Sequence, residues 1–176
     1  MQASPALRRS LSRLACAGAL FATLASPALA DKTSSVKLKI GIAFTETLAL
    51  SSDGICPVFE GRISGTGYST DLGAVSVQAT DCFVPTDASG TNFMFMTKPG
   101  TVVSLKTASG DILYGTYQGT ATGQPFPIEA LSGTVTFAGG TGRFAKASGT
   151  GTLEGVENIG SEPATGVIVI SGKVTY

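Results

Sequence analysis

Acid–base chemistry in this chain falls to carboxylates, tyrosines and lysines, because its 176 residues include no histidine. That absence removes the usual general base, the commonest zinc ligand and the central member of hydrolase triads. Among the groups that remain, Glu46 is the most conspicuous. It continues the alternation of Val36, Leu38, Ile40, Ile42 and Phe44 and precedes Leu48 and Leu50, so strand periodicity places an ionisable carboxyl on an apolar face. A carboxylate held there would lose hydration and resist ionisation unless a partner stood beside it, which suits a ligand anchor or a proton carrier. The default expectation is a bulge near Glu46 that returns it to solvent, since strands this long commonly bend.

Three aromatic residues join Glu46 as candidate ligand-binding groups. Phe93 and Phe95 share one face of the run 92–97 while Met94 and Met96 share the other, a pattern that fits either core packing or the lining of a pocket. Tyr114 and Tyr117 lie on opposite faces of the following strand, and Tyr117, in phase with Leu113, is the better inner candidate. No residue is assigned as catalytic, and neither a cofactor nor a metal is expected. Cys56 and Cys82 are expected to form a disulfide, being the even pair left after a leader is removed, too far apart for a C-x-x-C redox or metal pair. Gly140, Gly142 and Ala145 satisfy G-x-G-x-x-A after an apparent strand. Ser148-Gly149-Thr150-Gly151 nevertheless follows too soon for the helix that a pyrophosphate site requires.

The elements that must position these groups are strands. Residues 1–30 read as a secretory signal, with Arg8, Arg9 and Arg13 at the start, an apolar core over 14–24, and Ala28-Leu29-Ala30 as the cleavage site. Arg8-Arg9-Ser10-Leu11 only partly matches a twin-arginine signal, and Cys16 lies too early for lipidation. The mature protein is therefore expected in the periplasm or outside the cell, without a transmembrane segment. Loss of the leader leaves nine basic residues against twelve acidic, a net charge of −3. The remaining lysines and arginines are scattered singly, which argues against nucleic acid.

Residues 31–176 read as a single all-β domain, a closed or nearly closed antiparallel barrel of about eight strands. Strands are expected at 35–50, 60–68, 73–80, 92–97, 101–107, 111–122, 134–137, 148–153 and 166–176, with a loop over 81–90. The 101–107 run should pair with 111–122 across Ala108-Ser109-Gly110, bringing Val103 and Leu105 against Leu113 or its neighbours. Val167, Ile168, Val169 and Ile170 in succession suggest burial on both faces and closure of the last strand against an earlier one. In AGGTG, Gly139, Gly140 and Gly142 mark a hairpin or bulged corner followed by the irregular piece RFAKA.

That corner, GGTGRFAKASGTG, resembles one found in small secreted barrels related to allene oxide cyclases and plant dirigent proteins, and in many bacterial secreted proteins. The resemblance is carried by Gly139, Gly140, Thr141, Gly142, Phe144, Ala147 and Gly149. It implies an eight-stranded antiparallel barrel with a lined interior. The plant families' active-site residues lie outside the corner, so no catalytic role is carried over. The function expected first is a non-catalytic secreted barrel that binds a small apolar or amphipathic molecule. The alternatives are an envelope or extracellular interaction module working through its outer surface, and an isomerase or cyclase of the allene oxide cyclase kind. Oligomeric state is left open.

Overall fold

The computed structural model describes residues 34–176. The secretory signal expected over 1–30 lies outside them. Long alternating runs with inward apolar residues and outward Lys, Thr and Ser produce nine strands: β1 (Ser35–Leu50), β2 (Phe59–Ser69), β3 (Gly73–Pro85), β4 (Asn92–Thr97), β5 (Val103–Thr107), β6 (Ile112–Gly123), β7 (Ile128–Gly140), β8 (Ser148–Asn158) and β9 (Ala164–Thr175). All pairings are antiparallel, and β9 returns to β1 to close the ring.

Nine strands fill eight positions. β4 pairs with β3 at 81–85 and β5 pairs with β3 at 75–78, and both pair with β6, so together they form one staff interrupted at 98–102. Thr97 covers the interruption: its hydroxyl accepts from the Tyr117 N–H at 2.8 Å and donates to the Tyr117 carbonyl at 3.3 Å. Leu105 stands opposite Leu113 and Val103 opposite Gly115, as the hairpin chemistry of Ala108-Ser109-Gly110 requires.

Leu38, Ile40, Ile42 and Phe44 from β1, Val75 and Val77 from β3, Val135 and Phe137 from β7, and Ile170 and Val174 from β9 fill the interior. One end is sealed by the glycine corner. Gly139 and Gly142 take positive φ, 75° and 54°, and the chain makes a single 3-10 turn, Gly142–Phe144, that buries Phe144 against the Tyr176 ring at 4.8 Å. Arg143 stacks over both rings and lies 3.8 Å from Asp111, an ion pair outside the sealed end.

Two expectations change. Val167 and Val169 are exposed, not buried, because β9 keeps strict alternation and its inward phase is Ala164, Gly166, Ile168, Ile170, Gly172 and Val174. The loop expected over 81–90 begins only after Pro85, since β3 continues its inward phase through Asp81 and Phe83.

Segment 51–58 folds back over the outside of β2 and β3. Cys56 is joined to Cys82 there, with their Cα atoms 5.0 Å apart. Lys98, from the interruption between β4 and β5, bridges Asp53 at 2.5 Å and also bonds Glu60. Those hydrogen bonds from Lys98 hold the Asp53 and Glu60 carboxyls below their usual range.

Candidate functional site

The end of the barrel opposite Phe144 carries the polar interior. β1 runs without a bulge through Glu46, which pairs with Ile63 on β2 and Ala164 on β9, and Glu46 is 1% exposed. The expected bulge is absent because β2 stays in register with β1 from Ile40 through Leu50, while β9 pairs with β1 up to Glu46 itself. Asp81 reaches the same region from β3 and Glu157 from β8, at 1% and 2% exposure. Tyr117 on β6 donates its phenolic hydrogen to Asp81 Oδ2 at 2.9 Å.

The carboxyls converge. A Cβ placed on Gly61 would lie 1.8 Å from Glu46 Oε1 and 2.3 Å from Asp81 Oδ1, so those two oxygens occupy the space a side chain would need. They and Glu157 Oε1 are the buried side-chain oxygens without a hydrogen-bond donor among the described residues. Among the described residues, no lysine or arginine lines the inner hollow to balance them. The cluster therefore cannot hold three full negative charges and retains protons.

Burial, reinforced by the charges of Asp81 and Glu157, pushes the Glu46 carboxyl up to about 11. A proton on Glu46 supplies the missing donor toward Asp81 or Glu157. Asp81 is raised to about 7, chiefly by burial and against the opposing hydrogen bond from Tyr117. Burial also raises Glu157, which bonding to Glu46 partly offsets, and raises Tyr117 well above the ordinary phenol range, helped by the charge of Asp81. Glu129 on β7 sits directly opposite Glu157 and is raised by burial and then by that like charge.

Two hollows meet at this cluster. The inner one, about 50 Å3, lies within the barrel among Glu46, Asp81, Tyr117, Glu157 and apolar side chains including Phe44 and Phe95. The outer one, about 450 Å3, occupies the open end and is lined by Leu48, Leu50, Phe59, Phe93, Glu129 and Ile159 among others. Phe83 and Glu157 line both and form the threshold between them. An aromatic wall connects the two: Phe93 to Phe83 at 6.3 Å, Phe83 to Phe95 at 6.0 Å, and Phe95 to Tyr117 at 6.0 Å.

All four candidate ligand-binding residues thus fall on one connected site. Glu46, Phe95 and Tyr117 line the inner hollow and Phe93 the outer one. Met94 faces outward and is 43% exposed. Sequence reasoning missed Asp81, Glu129 and Glu157. The signal was present, for each continues an inward alternation: Val77, Ala79, Asp81; Val135, Gly133, Leu131, Glu129; and Leu153, Gly155, Glu157.

Chemically, the site offers a protonated carboxyl beside one that titrates near neutrality, inside an apolar tube with one open end. Among the described residues, no group of three or more His, Cys, Asp or Glu is arranged to hold a metal ion, and no helix is long and apolar enough to cross a membrane. Compared with known proteins, the chain matches no family model, no curated protein and no solved structure.

Proposed function

We propose that this protein is an extracytoplasmic, non-catalytic barrel that holds a small apolar or amphipathic molecule. The observation that carries the reading is the outer hollow. Its volume of about 450 Å3 falls within the range of small-molecule sites, its wall is largely apolar, and its polar groups are confined to the inner boundary. A polar end would enter toward the carboxyls while an apolar body covers Phe93, Leu48 and Leu50, of which Leu50 is 73% exposed. The inner hollow of about 50 Å3 accepts only a small head group. Export is supported by the leader pattern over 1–30 together with the Cys56–Cys82 disulfide.

Native mass spectrometry of the purified protein against a panel of C6–C12 amphipaths tests the reading. Retention of one molecule per barrel is expected, and it should weaken when Phe93 is replaced by Asp. A barrel that retains none of the panel would remove the assignment.

One observation favours a second reading, an isomerase or cyclase of the kind the glycine corner suggests. Glu46 and Asp81 are neighbouring carboxyls whose proton affinities are pushed apart, the arrangement by which one fold supplies an acid and a base together. Turnover of an allene oxide that is abolished by Glu46→Gln in a folded protein would favour it over simple binding. An outer-surface role draws its support from Val156, Val167, Val169 and Tyr68, all exposed on β8, β9, β1's neighbour β2 and the rows between them. A protein that stays monomeric at high concentration and captures no envelope component would weigh against that role.

A further inference from the structure

The inner cluster specifies the kind of head group it would accept. Three buried oxygens, one each from β1, β3 and β8, have no donor other than a proton held within the cluster: Glu46 Oε1, Asp81 Oδ1 and Glu157 Oε1. All three residues line the inner hollow and each is at least 98% buried. Two of the oxygens meet over Gly61. At the threshold Glu129 stands directly opposite Glu157, a like-charge pair that costs stability and that a fold selected for packing alone would not need.

Among the described residues, every titratable group facing the cluster is acidic or phenolic. β1 supplies Glu46, β3 Asp81, β6 Tyr117, β7 Glu129 and β8 Glu157, while the facing positions of β2 and β9 are Gly61, Ile63, Ala164 and Gly166. Lys98 is committed on the outer face to Asp53 and Glu60. A negative pocket without an internal counter-ion selects for a cation or a multiple hydrogen-bond donor.

We propose that the ligand is an amphipathic primary amine, its ammonium donating to Glu46 Oε1, Asp81 Oδ1 and Glu157 Oε1 and its apolar tail passing Phe83 and Phe93 to the open end. The proposal rests on the binding function above and names its substrate class. A primary ammonium carries three N–H donors and no acceptor, so it can serve all three oxygens where a proton shared within the cluster serves only some of them. Its head is close to water in size and fits the inner hollow, whereas an alkyl or aryl tail requires the outer one. Binding displaces protons shared within the cluster to bulk solvent, so occupancy couples to pH. The amine holds its charge until near the lysine range. Competition by protons is therefore strongest below the Asp81 value of about 7, where affinity falls as pH falls.

Isothermal titration calorimetry at pH 8 with octylammonium, 1-octanol, octanoate and octyltrimethylammonium tests it, since the four share one tail. Octylammonium should bind at least tenfold more tightly than 1-octanol or octanoate and about tenfold more tightly than the trimethyl analogue, which lacks N–H donors. Its affinity should drop several-fold between pH 8 and pH 6. In Glu46→Gln or Asp81→Asn, the preference for the amine over 1-octanol should shrink. The wild-type series decides the matter even if both variants fail to fold. Equal or tighter binding of 1-octanol or octanoate overturns the ammonium anchor and leaves the binding reading intact. Equal binding of the trimethyl analogue overturns the three-donor match. Failure of all four probes to bind overturns both.

Discussion

Replacing Glu46 by Gln should flatten the dependence of stability on pH. In the unfolded chain this carboxyl ionises near 4.5, and in the barrel burial and the neighbouring acids hold its proton up to about 11. Between those values the folded state binds one more proton than the unfolded state. Stability is therefore fully present below 4.5 and is lost as pH rises toward the folded value. One proton is worth about 1.4 kcal/mol per pH unit, so the wild type should lose about 4 kcal/mol from this group between pH 5 and pH 8. Gln at position 46 has nearly the same volume and keeps an N–H donor for Asp81 or Glu157, but it does not titrate. The two stability curves should lie close together at pH 5 and separate at pH 8, with the variant the more stable. Urea unfolding followed by far-ultraviolet circular dichroism at each half unit of pH measures the difference. Parallel curves from pH 5 to pH 8 would refute the reasoning, because they would mean that Glu46 ionises alike in both states.

Two further perturbations probe the frame around the cluster. Gly61→Ala puts a methyl group into the space of Glu46 Oε1 and Asp81 Oδ1, so it should destabilise by about 1–3 kcal/mol and weaken amphipath binding, as denaturant unfolding and calorimetry would show. Cys56→Ser with Cys82→Ser releases segment 51–58 from β3. With the cysteines separated by 26 positions in sequence, the chain-entropy cost is about 3–4 kcal/mol, and limited proteolysis should then cut first within that segment.

The barrel was readable because strand alternation is a local property. The β1 phase from Val36 to Leu50 put Glu46 on the inner face, although a bulge turning it to solvent was the default expectation, and the β6 phase from Leu113 identified Tyr117 as the inner tyrosine. The two cysteines outside the expected leader anticipated the Cys56–Cys82 bond. The rest of the cluster was lost at strand ends. Asp81 precedes Cys82 and a Pro85-Thr86-Asp87 turn, so a loop seemed to begin there, yet pairing with Phe59–Ser69 on one side and Asn92–Thr97 on the other extends β3 through it. Glu157 lies beyond Gly155 and Glu129 before Leu131, where glycine and charge imitate the end of a strand. Those positions are held in the sheet by neighbours distant in sequence, which alternation within one segment does not reveal. Val167 and Val169 misled in the opposite sense: four apolar residues in succession suggested two buried faces, but the barrel interior takes only one.

The protonation of the acidic cluster is most directly measured by following the side-chain carboxyl carbons of Glu46, Asp81 and Glu157 by nuclear magnetic resonance from pH 3 to pH 10. Glu46 should stay protonated through pH 8, Asp81 should titrate near 7, and Glu157 should titrate above the ordinary glutamate range. Titration of all three close to their unfolded values would contradict a closed barrel with its acids buried together.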